Sequence, residues 1–115
     1  MPIQLLLDED VPVPLRHDFD SASDVETVEY RGWKSAENGD LLRRAEAEYD
    51  VFVTLDKNLP SQQNIGTFDI GVVVLCGNDV RLPALRELMP EANEMIRSVE
   101  RGTLARVFPP NEATP

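Results

Sequence analysis

Ile3-Gln4-Leu5-Leu6-Leu7, closed by Asp8-Glu9-Asp10, and Val51-Phe52-Val53-Thr54-Leu55, closed by Asp56, decide how this chain is read. Each is a short, almost continuously apolar run, the pattern of a parallel strand covered on both faces. Each also ends in acid. In open α/β sheets the crevice that takes ligands lies outside the carboxyl ends of the strands. Two distant parts of the chain would therefore bring carboxylates to one place. Carboxylates brought together repel, and they require a proton, a basic partner or a cation.

Outward from these two runs, the chain alternates strand and helix patterns. Val11-Pro12-Val13-Pro14-Leu15-Arg16 permits a short helix over 12–19, with proline confined to its first turn. Val25-Glu26-Thr27-Val28-Glu29-Tyr30 reads as a second strand, and Asn38 as the N-cap of a helix holding Asp40, Leu41, Leu42, Ala45 and Tyr49. A polar loop is expected between Lys57 and Asp69. A fourth strand follows over 70–75, then apolar residues at helical spacing on either side of Pro90, and a short last strand over 105–108. The order predicts a three-layer α/β/α sandwich with a mainly parallel sheet. One domain over 1–108 and a flexible tail over 109–115 are expected.

Composition narrows the classes. The chain has 115 residues, 42% of them hydrophobic and 28% charged, as in a soluble globular domain. One cysteine, Cys76, excludes an internal disulfide and a thiolate metal site; its place at the end of an apolar run reads as a buried thiol. No apolar stretch reaches membrane-spanning length and no signal peptide is evident, so a cytoplasmic protein without a membrane partner is expected. The net charge of −10, from 21 acidic and 11 basic residues, argues against a broad electrostatic grip on nucleic acid. It leaves local basic patches open.

A third acid can join the two strand-end acids. Asp40 stands in the first turn of the helix before the third strand, with Glu37 just ahead of it. Asp8, Asp40 and Asp56 would form an all-oxygen site suited to Mg²⁺ or Mn²⁺, with Glu9 and Glu37 as weaker ligands. Such a cation orients water and neutralises charge on a phosphodiester. Each residue also has a structural reading. Asp40 can favour its helix N-terminus and pair with Arg43 or Arg44, Asp8 and Asp56 can be turn residues, and Glu9 and Asp10 a solvated turn or a helix-start signal. Lys57 and Lys34 are candidate phosphate contacts. His17 suits a surface role and Trp33 the cover of a core edge. A phosphoacceptor receiver domain shares the acids after strands one and three. It also needs Ser or Thr after strand four and a later Lys, whereas this chain offers Leu75-Cys76-Gly77 and no lysine beyond Lys57.

At these residues the chain resembles the PIN-like domains, nearest to the short PIN-like proteins related to toxin ribonucleases. The resemblance is carried by Leu6-Leu7-Asp8-Glu9-Asp10-Val11-Pro12, by Asn38-Gly39-Asp40-Leu41-Leu42-Arg43-Arg44-Ala45 and by Val53-Thr54-Leu55-Asp56-Lys57-Asn58-Leu59. It implies a metal-dependent ribonuclease, the toxin of a toxin–antitoxin pair, with Asp8, Asp40 and Asp56 holding Mg²⁺ or Mn²⁺. RNA would be the substrate and a small antitoxin protein the partner; apolar helix stripes permit a homodimer but serve a core equally well. Two departures stand out: Asn58 occupies a place where the family usually carries a further acid, with Asp79 a poor substitute, and no basic groove is evident. The alternative is a PIN-like interaction module without catalysis.

Overall fold

The computed structural model describes residues 3–22 and 24–110. It contains a five-stranded sheet in which every neighbouring pair is parallel. The strands are β1 (Gln4–Leu7), β2 (Asp24–Thr27), β3 (Val51–Thr54), β4 (Gly71–Leu75) and β5 (Leu104–Val107), in the spatial order β2-β1-β3-β4-β5. The chain therefore leaves β1 toward one side and returns past it to build the other. This reversal makes the gap between β1 and β3 the topological switch point, where a crevice opens beyond the strand ends.

The apolar runs are continuous because helices cover both faces. Leu5, Leu7, Val51, Val53, Val73 and Leu75 pack on one side against Val11, Leu15, Leu85, Met89, Ala92 and Ile96. Their neighbours in sequence, Leu6, Phe52, Val72 and Val74, point the other way, onto Leu41, Leu42, Ala45 and Leu59. At about 1.5–3 kcal/mol for each fully buried large apolar side chain, a slip of one residue in register would exchange two complete cores. That fixes where each strand ends, and with it where Asp8 and Asp56 stand. The edge strands carry the polar residues instead, Asp24 and Glu26 on β2 and Arg106 on β5.

The helices are α1 (Asn38–Ala45), α2 (Leu59–Gln62), α3 (Leu82–Arg86) and α4 (Met89–Ser98). Several sequence expectations shift here. The segment after β1 is a 3₁₀ turn over Val13–Asp18 rather than an α-helix, and β2 stops at Thr27, short of Tyr30. Glu37, not Asn38, occupies the N-cap position of α1, because the Leu41 N–H bonds to the Glu37 carbonyl at 2.8 Å. Tyr49 lies beyond the end of α1 but is buried. The expected loop after Lys57 contains α2 and a 3₁₀ turn over Ile65–Thr67, because Leu59 and Ile65 reach the core. Pro60, Pro83 and Pro90 all sit in first helical turns, where a missing N–H costs no intrahelical bond. Pro90 thus separates the two helical stretches, as expected, and stands in the first turn of α4. Of the tail expected over 109–115, residues 111–115 lie outside the described residues. Among the described residues no helix is long and apolar enough to cross a membrane.

Candidate functional site

At the C-terminal edge of the sheet, the switch point collects one hydroxyl and several carboxylates. β1 ends at Leu7, and the Asp8 N–H still bonds to the Val53 carbonyl of β3 at 2.9 Å, so Asp8 stays in register beside β3. A tight turn follows, closed by the Val11 N–H on the Asp8 carbonyl at 3.0 Å. The turn carries Glu9 outward and brings Asp10 back over the crevice. Thr54, fully buried at the end of β3, is the hub. Its hydroxyl lies 2.7 Å from Asp8 Oδ2 and 3.4 Å from Asp10 Oδ2, and it accepts the Asp56 N–H at 3.0 Å.

One hydroxyl has one proton to donate, so it cannot serve both carboxylates at once. The shorter bond goes to Asp8, whose Oδ1 accepts the Glu9 N–H at 2.8 Å; Asp10 Oδ1 accepts the Leu55 N–H at 3.2 Å. Asp56, half-buried, accepts the Asn58 N–H at 2.9 Å and so caps its own turn. Among the described residues no Lys, Arg or His side-chain nitrogen lies within 4.0 Å of a carboxylate oxygen of Asp8, Asp10 or Asp56. The electrostatic consequence is direct. Burial raises the Asp8 carboxyl above its ordinary range, against the lowering effect of the Thr54 and Glu9 bonds. Asp10 is exposed as a residue, but partial desolvation of its carboxyl and the neighbouring Asp8 charge push it up to about 6.

The other expected site residues are arranged differently. Asp40 lies in the first turn of α1 with its side chain 71% exposed, 4.0 Å from Arg44. The N-terminus of α1 lies instead against the C-terminal end of α2: a Cβ on Gly39 would meet Gln63 Oε1 at 3.1 Å. Glu9, Glu37 and Lys34 are exposed. Lys57 is exposed one residue past Asp56 and lines a pocket with Arg106. Asp79 is held by Arg81 at 2.7 Å and 3.0 Å, which lowers its carboxyl to about 2 and ties up the acid considered as a substitute at Asn58. Cys76 is buried, and burial pushes its thiol up. Trp33 lies at the edge of a core, with the Arg31 guanidinium 4.2 Å from its ring centre. A separate pocket of about 490 Å³ flanks β2 and contains none of the candidate acids.

Two residues of the cluster are hard to see in the sequence. Asp10 reads there as a solvated turn residue and Thr54 as a strand residue, yet they form the polar centre of the crevice. The available signal is the spacing: Asp8 and Asp10 alternate after one strand, while Thr54 and Asp56 alternate after its neighbour. The donor set is hard, anionic and all-oxygen, suited to Mg²⁺ or Mn²⁺ and ill suited to zinc or copper. Among the described residues no three acid, imidazole or thiol side chains form a group that could hold a metal ion. A cation here would be held by one or two carboxylates and keep several waters, the ordinary habit of Mg²⁺. No family model, curated protein or solved structure matches the chain.

Proposed function

We propose that the crevice beyond β1 and β3 holds Mg²⁺ or Mn²⁺, and that the protein is a PIN-like, three-layer α/β/α, metal-dependent ribonuclease. The observation that carries this reading is the crowding of Asp8 and Asp10 around the single Thr54 hydroxyl at the switch point, with no basic side chain among the described residues to compensate them. When bound, the cation supplies Lewis-acid polarisation and charge neutralisation at a phosphodiester. Asp8 and Asp10 are its ligands, and Asp56 is the third acid of the crevice. Thr54 orients Asp8, while Lys57 lies beside Asp56 to contact the phosphate backbone. Asp40, exposed on α1, belongs to the site by resemblance alone. Its pairing with Arg44 is no obstacle, since an exposed i,i+4 pair is worth only about 0.3–0.5 kcal/mol. By resemblance the expected partner is a small antitoxin protein.

The test is cleavage of RNA by purified protein with and without Mn²⁺. Cleavage should require the metal and disappear in Asp8→Asn and Asp56→Asn proteins that melt like the wild type. Undiminished cleavage in either variant would refute the assignment. A second reading, a PIN-like interaction module without catalysis, is favoured by Asn58 and by the lack of a three-acid enclosure among the described residues. Saturable Mn²⁺ binding without cleavage of any RNA would select it.

A further inference from the structure

Next to the acidic crevice, the same sheet edge changes sign. Beyond the ends of β3, β4 and β5 lies a pocket of about 370 Å³ lined by Lys57, Cys76, Gly77, Asn78, Arg106 and Phe108, with no acid among the described residues of its wall. The charge content makes that unusual. Of the 11 basic side chains, only Arg16, Lys34, Lys57, Arg97 and Arg106 have no carboxylate within 4.0 Å among the described residues. Two of those five meet in this one pocket, although they come from separate strand ends. Both charges reach the Cys76 thiol and oppose the upward push of burial on it. Two cations left unpaired in so acidic a chain form a local attraction for an anion. Phe108, 38% exposed, adds an aromatic surface, and stacking of a base on such a ring is worth about 1–3 kcal/mol.

We infer that this pocket is a phosphate subsite for single-stranded RNA, with Lys57 and Arg106 gripping the backbone and Phe108 offering a base its face. The inference rests on the ribonuclease reading for the identity of the strand. It gives the edge two neighbouring parts: acids and cation at β1/β3, and a backbone grip at β3 to β5. Strands lie about 4.8 Å apart, so the two parts are separated by roughly 7–12 Å, within the span of a short oligonucleotide.

The experiment is backbone-amide NMR of the full chain at low salt with EDTA, titrated with oligouridylate and, separately, with inorganic phosphate. Oligouridylate should move the Gly77 and Asn78 amides saturably, in wild-type and in Asp8→Asn protein alike. Arg106→Gln should weaken that binding about tenfold, the scale of one charge-assisted hydrogen bond. In Lys57→Gln/Arg106→Gln protein the slope of log affinity against log salt should flatten by about 0.7 for each phosphate no longer neutralised. Unmoved amides, or an Arg106→Gln protein that binds like the wild type, would overturn the inference. A response to inorganic phosphate but not to oligouridylate would also overturn it, leaving a small-anion pocket. Loss of the subsite beside intact Mn²⁺-dependent cleavage leaves the ribonuclease reading standing. An intact subsite without cleavage leaves the grip and removes the chemistry.

Discussion

The two ends of β3 hold the same residue type in opposite circumstances. At the N-terminal end, Asp50 accepts the Gln4 N–H at 2.8 Å and pairs with Arg101 at 2.5 Å, and Arg101 also reaches Asp69 at 3.9 Å. There the carboxylate joins β1 to β3 and the turn before β5, and a guanidinium balances its charge. At the C-terminal end, Asp8, Asp10 and Asp56 share hydrogen bonds but, among the described residues, no cationic side chain. Where an acid only has to hold the fold together, this chain gives it a basic partner. On the reading proposed above, the acids left without one, at the place where the topology opens a crevice, would have their charge answered by a cation that is not part of the chain.

The largest test of this contrast is to neutralise one acid at each end. Asp8→Asn should reduce Mn²⁺ affinity at least ~100-fold, because losing a ligand should cost no less than the about 10–100-fold lost with an outer-shell partner, with little change in melting temperature. Calorimetry at low salt measures it. Asp50→Ala should do the reverse. It leaves the Gln4 N–H and Arg101 without their partner and, since Asp50 is partly exposed, costs about 1–2 kcal/mol of stability. Its Mn²⁺ affinity should stay close to that of the wild type. If Asp50→Ala weakens Mn²⁺ binding as much as Asp8→Asn does, the two ends are not separate and the contrast fails.

Thr54 sharpens the contrast within the crevice. Thr54→Val keeps the shape of the buried side chain and removes the hydroxyl that orients Asp8. Mn²⁺ affinity should fall about tenfold, the usual scale for a group behind a metal ligand. Binding equal to that of the wild type would mean that Asp8 needs no positioning. Thr54 also shows what can be read in the sequence and what cannot. The strands that carry Asp8 and Asp56 are legible because a run of buried apolar residues leaves one state open, a strand covered on both faces. Their neighbourhood follows from the general rule on strand ends. Asp10 and the Thr54 hub are not legible, because they depend on how the turn over 8–11 folds back, and periodicity is silent on turns. Nor is Arg101, which finds Asp50 across 51 residues of sequence through the order of the strands. The helix after Lys57 stays hidden because its four residues are too few to show a period.

The smallest effect tests the proposed cation site most directly, through pH. An acid whose carboxyl is raised in the folded state binds its proton more tightly there than in the unfolded chain. Stability then falls as pH rises, wherever the folded state holds the extra proton. For Asp10 that window runs from its ordinary value near 3.8 to about 6, and Asp8 contributes in the same direction. Screening at this exposed residue keeps the effect below about 1 kcal/mol, a shift of a few degrees in melting temperature. Other carboxylates, such as Asp79 with its lowered value, move stability the opposite way at lower pH, so the comparison must be against a variant. Asp10→Asn should melt slightly above the wild type at about pH 7.5, above the window, and level with it near pH 4, at its lower edge. Mn²⁺ should cancel the difference at the higher pH, because a bound cation relieves the repulsion that the substitution removes. If wild type and variant keep the same offset across the whole range, Asp10 is solvated like any surface acid. The crevice would then hold no unbalanced charge for a cation to answer.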